Sequence, residues 1–179
     1  MTAALMVIDF QNALMLDPPT YQVDVILRRI GQLIAKARKV DVPVIYIQHE
    51  SAGSAWEAGT TTWEFPDEIA PHAGDFVSRK DACDAFLGSR LERHLDERGI
   101  DKVYVCGFAT EFCIDTNVRR AVGMGLVTVV VKDAHTTRDR PHLTAQQIIE
   151  HHNWVWAEFT NPGNPIVLCE ADEAQFAPS

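Results

Sequence analysis

The stretch KVYVCGFATEFCIDTNVRRAVGMGLVTVVV, residues 102–131, reads as strand, turn, helix, turn, strand. Lys102–Cys106 is a short strand signal and Leu126–Val131 is strongly β-branched, a composition that fits a covered sheet. Between them a helix is expected from about Phe112 to Val122, stopped by Gly123 and Gly125. Strands joined through a helix in this way pair in parallel by a crossover.

Working outward, the alternation continues in both directions. Ala3–Ile8 is a continuous apolar run, Pro43–Ile47 a second buried strand, Phe76-Val77 a short third signal and Pro165–Cys169 a sixth. Asp24–Lys39 carries Ile26, Ile30, Leu33, Ile34 and Ala37 at helical spacing. Asp24 is the expected N-cap, and Lys36, Arg38 and Lys39 suit the negative end of the helix dipole. Ser89-Arg-Leu-Glu92 predicts a capping box on a helix ending at Gly99, and Thr144-Ala-Gln-Gln147 caps another through roughly Glu158. Residues 49–74, rich in Gly, Thr, Trp and Pro, form a long irregular segment of the kind that carries function. The order predicts one α/β domain over residues 1–179: three layers, α/β/α, around a Rossmann-like parallel sheet in the order 3-2-1-4-5-6. Ligands of such sheets bind beyond the carboxyl ends of the strands, where strand order reverses. Asp9, Lys80 and Cys113 follow the first, third and fourth strands, so all three fall there.

Composition narrows the function. The 179 residues carry a net charge of −9 without Lys/Arg clusters, which argues against nucleic acid or an anionic membrane as partner. No apolar run approaches the ~18–20 residues of a membrane span. The N-terminal segment lacks a basic n-region and contains Asp9, so it reads as a buried strand and not a signal peptide. Cys83, Cys106, Cys113 and Cys169 show no C-x-x-C spacing, and with no export signal they are expected as reduced thiols in the cytoplasm.

Three segments, VIDFQNAL (7–14), VSRKDACDAFLGSRL (77–91) and VCGFATEFCIDTNVRRAVGMG (105–125), together resemble the isochorismatase-like cysteine hydrolase superfamily, which includes nicotinamidases and other small-amide hydrolases. The resemblance runs to roughly His152. It implies a catalytic Asp9, Lys80 and Cys113, with Ala109 following a non-proline cis peptide. The backbone N–H groups of Ala109 and Cys113 would then form an oxyanion hole. It also implies a homo-oligomer, dimer or tetramer, and a small-molecule substrate. Nicotinamidases carry an Asp-x-His after the second strand and further histidines downstream that bind a divalent ion. Here only His49 stands at that place, so no metal and no cofactor are expected.

These residue types suit attack on a C–N bond. The thiolate is the nucleophile, and a helix N-terminus and an ammonium both favour it, which makes Cys113 the expected most reactive of the four thiols. Asp9 would accept the thiol proton and pass it to the leaving amine. Leu14, Trp56, Trp63 and Phe86 are the candidate pocket residues. Cys83, Cys106 and Cys169 read as core filler. Gln11 and Asn12 either orient Asp9 or satisfy turn backbone, and Glu111 faces either substrate or solvent. His135, Arg138 and Asp139 read as structural or intersubunit, and His151-His152-Asn153 has no metal-ligand spacing. Two other functions compete: vinyl-ether hydrolysis by protonation, against which Cys113 argues, and a silent binding protein, against which the intact Asp/Lys/Cys set argues.

Overall fold

Six parallel strands pair in the order β3-β2-β1-β4-β5-β6 in the computed structural model, which describes residues 1–176. They are β1 (Thr2–Ile8), β2 (Val44–His49), β3 (Phe76–Lys80), β4 (Ile100–Phe108), β5 (Val127–Thr136) and β6 (Val167–Cys169). The helices are α1 (Val23–Lys39), α2 (Leu91–Glu97), α3 (Asp115–Gly123) and α4 (Ala145–Ala157). β1 is central and shows why a continuous apolar run was needed. Ala3, Leu5 and Val7 enter a core with Ile30, Leu33 and Ile34 of α1. Ala4, Met6 and Ile8 enter a second core with residues of α2, α3 and α4, among them Leu95, Val118 and Trp156. Alternate side chains thus serve opposite faces of one sheet, and α1 forms one outer layer while the other helices form the second. None of the described helices is long and apolar enough to cross a membrane.

Element boundaries depart from the sequence expectation where polar residues carry the chain. β3 extends beyond Phe76-Val77 to Lys80, because Ser78 and Lys80 turn inward while Val77 and Arg79 face out. Lys80 therefore ends its strand instead of following it. β5 continues past Val131 through Lys132–Thr136, with a register shift opposite Val105–Gly107. Asp24 is not the N-cap of α1: the helix starts at Val23 after Gln22, which sits at φ 50, and Asp24 lies within the first turn. The capping box at Ser89 does not form either. Ser89 Oγ accepts from the Leu91 N–H at 3.1 Å and donates to Ala85 O at 2.7 Å, and Glu92 lies already inside α2. At α4 the box does form, with Thr144 and Gln147 capping each other.

The connections leave β1 and β4 in opposite directions, so a crevice opens between their carboxyl ends. Gly107 makes this approach possible. Its φ is 123, and a Cβ there would overlap the carbonyl oxygen of Ile8 on β1. Gly107→Ala is expected to cost more than about 2–3 kcal/mol of stability or to prevent folding, read as a lowered urea midpoint or loss of soluble protein.

Candidate active site

Asp9 leaves β1 in the left-handed region, φ 50, with its N–H bonded to Ile47 O at 2.9 Å. Asp is among the few non-glycine residues that tolerate this conformation. Lys80 lies two strands away, so its side chain must cross roughly 10 Å of sheet to reach the crevice. It does so along a buried path. Nζ meets Asp9 Oδ2 at 2.6 Å, Cys113 Sγ at 3.2 Å and Ala82 O at 3.0 Å. Cys113 lies in a one-turn π-helical segment, Thr110–Ile114, between β4 and α3, instead of in a plain helical start at Phe112. The Phe108–Ala109 peptide before it is cis. Asp9 and Cys113, far apart in sequence, thus meet at the one ammonium of Lys80.

Charge and burial set the protonation of the cluster. Burial pushes the Asp9 carboxyl above its ordinary value, with Lys80 as the main opposing charge. Burial opposes the charge on Lys80, but Asp9 and Cys113 outweigh it and hold its pKa above the usual lysine value. Burial also pushes the Cys113 thiol well up, Asp9 adds to the shift, and Lys80 opposes it. At 8% exposure, with an anion alongside, desolvation outweighs the ammonium. Asp9 and Lys80 lie at ion-pair distance, and burial favours the neutral form of the Cys113 thiol. Asp9 Oδ1 is buried with no hydrogen-bond partner.

A cavity of about 430 Å³ opens over these atoms, walled by Asp9, Cys113, Trp56, Phe108, Phe112 and Arg138 among others. Trp56 stacks on Phe108 at 6.0 Å between ring centroids. Of the four residues expected to line a pocket, only Trp56 does so. Leu14 is fully buried in the core under α1, and Phe86 is buried in the opposite core. Trp63 is buried with the Arg79 guanidinium over its ring, its carbonyl held by Gln11 and Gln48. Sequence had left Phe108, Phe112 and Arg138 out of the wall, since periodicity does not tell a rim residue from a core one. Cys83 is also not core: it is exposed and lines this cavity. A larger cleft of about 620 Å³ beside β3 contains none of the three clustered residues.

The supporting side chains are mostly polar and buried. Gln11 clasps residue 49, accepting from His49 N–H at 2.9 Å and donating to His49 O at 3.0 Å. Asn12 donates to Thr61 O at 3.0 Å, so both side chains fasten the long loop and neither side chain bonds Asp9. Asn117, which the sequence did not single out, accepts from Ala85 N–H and donates to Cys83 O and Cys113 O. Glu111 pairs with Arg140 at 2.6 Å. His49 lies 3.5 Å from Lys80 Nζ, and burial, then Lys80, lower its pKa. Among the described residues no three His, Cys, Asp or Glu side chains are grouped to hold a metal ion.

His135 is buried against the turn that carries Cys113. Asn153 donates through Nδ2 to Lys132 O, which leaves its Oδ1 to accept from His135 Nε2–H at 3.0 Å. His135 Nδ1 then accepts from the Thr110 hydroxyl at 2.9 Å. Burial lowers its pKa to about 4. The unfolded chain, with a His pKa of about 6.5, therefore binds the proton first as pH falls. The contribution is full above about pH 6.5 and is lost towards pH 4. Between pH 7.5 and pH 5, urea unfolding of the wild type should lose about 2 kcal/mol more than that of His135→Gln.

Residues 3–168 match the family described as the isochorismatase domain. Streptothricin hydrolase of Streptomyces noursei is 32% identical over 140 residues, covering 77% of this chain and 51% of that protein. The chain therefore spans about half the length of that relative. A ureidoacrylate amidohydrolase of Stutzerimonas stutzeri is 26% identical over 169 residues, covering 73% of this chain and 68% of that protein. The crystal structure of an isochorismatase from Pseudomonas putida aligns with a TM-score of 0.90 at 27% identity, covering 97% of this chain and 90% of that one.

Proposed function

Because the chain belongs to the isochorismatase family, we propose that it is a cysteine-dependent hydrolase that cleaves an amide- or ureide-type C–N bond of a small molecule through a thioester. The observation that carries this is the Lys80 ammonium, in contact with both Asp9 and Cys113 inside one buried cluster. Both relatives are named hydrolases, and the name of the ureidoacrylate amidohydrolase is consistent with the bond type.

The chemistry follows from the resting charges. Asp9 accepts the Cys113 proton as sulfur attacks the carbonyl carbon, and the C=O electron pair moves to oxygen. Both the carboxyl and the thiol hold their protons more tightly than usual, so the proton moves between two groups shifted in the same direction. Lys80 stays charged and pairs with whichever of them is the anion. The N–H groups of Ala109 and Cys113 receive the oxyanion, a contribution of roughly 3–4 kcal/mol per donor in well-studied hydrolases. Collapse breaks the C–N bond, and Asp9 protonates the departing nitrogen. Water, deprotonated by Asp9, then attacks the thioester. The acid leaves, and the thiol regains its proton.

Two outcomes are expected. Cys113→Ala and Asp9→Asn should each lower turnover of the best substrate by about a thousandfold or more, with Lys80→Ala also impaired. Acid quenching during wild-type turnover should leave an acyl adduct on the peptide containing Cys113. Near-full activity of the alanine variant would instead favour acid-driven vinyl-ether hydrolysis. The protein is also expected to form a homodimer or homotetramer, since Leu16 and Phe112 at the cavity rim and Trp154 on α4 are 42%, 50% and 64% exposed. A 20 kDa particle in light scattering would contradict that.

A further inference from the structure

The walls of the active-site cavity contain charges of both signs, and they compensate unequally. Asp9 is paired with Lys80, and the Arg140 guanidinium is paired with Glu111. His49 has a lowered pKa and counts as neutral. Arg138 remains. Its Nε donates to Thr20 Oγ1 at 3.2 Å and its Nη2 to Ala13 O at 3.2 Å, both neutral acceptors. Among the described residues it has no carboxylate within ion-pairing distance, in a protein whose net charge is −9. A guanidinium has five N–H donors, so two fixed bonds orient the fork and leave Nη1 without a protein acceptor among the described residues. Arg138 shares the cavity wall with Asp9 and Cys113.

On the reading of the site as a C–N hydrolase, the geometry points to Arg138 as the residue that selects substrate, by binding a carboxylate carried on the amide or ureide at the end remote from the scissile bond. One planar anion matches one oriented, uncompensated guanidinium, and the pairing is strongest where a cavity wall excludes water. The apolar faces of Trp56, Phe108 and Phe112 would hold the short chain between the two groups.

The test does not need the substrate. Wild type, Arg138→Gln and Arg138→Lys are alkylated with iodoacetamide at pH 7, and modification of Cys113 is followed by peptide mass spectrometry. The competitors are straight-chain carboxylates from acetate to hexanoate and the primary alcohols of the same lengths. In the wild type at least one carboxylate is expected to protect Cys113 at a concentration tenfold or more below its alcohol. That preference should fall to about onefold in Arg138→Gln and return in part in Arg138→Lys, which keeps the charge. Equal protection by acid and alcohol in the wild type, or an undiminished preference in Arg138→Gln, would overturn the assignment. Carboxylate selectivity without hydrolysis of any amide or ureide would leave Arg138 assigned and refute the proposed reaction. Hydrolysis of neutral amides alone, with no carboxylate selectivity, would do the reverse.

Discussion

The Lys80 ammonium is held away from water by three contacts: a carboxylate oxygen, a thiol sulfur and a backbone carbonyl. A buried charge of this kind is tolerated only when its donors are satisfied and an opposite charge is close. Much of the local structure reads as meeting that requirement. The polar inner face of β3 brings Lys80 under cover, and the left-handed turn at Asp9 leaves the carboxylate beside it. Asn117 links the backbone of the loop after β3 to that of the turn carrying Cys113, so Lys80 and Cys113 share one scaffold.

The second constraint is the closeness of β1 and β4. A crevice at the reversal of strand order exists in many parallel sheets, but here it is narrowed by a glycine that has no room for a side chain. Beyond Gly107, His135 from the neighbouring strand bonds Thr110 at the start of the turn carrying Cys113, and Asn153 of α4 fixes the tautomer of His135. A neutral histidine is suited to this, since it can accept on one nitrogen while donating from the other.

The fold was legible because its strands are apolar runs separated by helical spacing, and the central strand, covered on both sides, has the plainest pattern. The ends of β3 and β5 were not, because Ser78–Lys80 and, apart from Ala134, Lys132–Thr136 are polar residues whose strand state depends on what covers them. The cluster of Asp9, Lys80 and Cys113 was legible as residue types at strand ends. Its protonation was not, since desolvation is a property of the packed site. The cavity wall was the least legible. Leu14, Trp63 and Phe86 are as apolar as Phe108 and Phe112, and only the backbone path decides which of them meet the opening. Capping divided the same way. Thr144 had an unobstructed partner in Gln147, whereas Ser89 was diverted to the carbonyl of Ala85.

The clasp that Gln11 places on both backbone groups of residue 49 separates two inheritances within one site. The long loop is fastened at its root by Gln11 and further along by Asn12 to Thr61, while Glu50 N–H is tied to Lys80 O at 2.8 Å. Between those anchors, residues 51–59 are mostly exposed and carry Ala55 and Trp56 into the cavity wall. Changes there reshape the cavity wall while Asp9, Lys80 and Cys113 keep their positions. A lineage bearing this chain can therefore vary the shape of that opening through a few surface codons, with the buried cluster left intact in each intermediate.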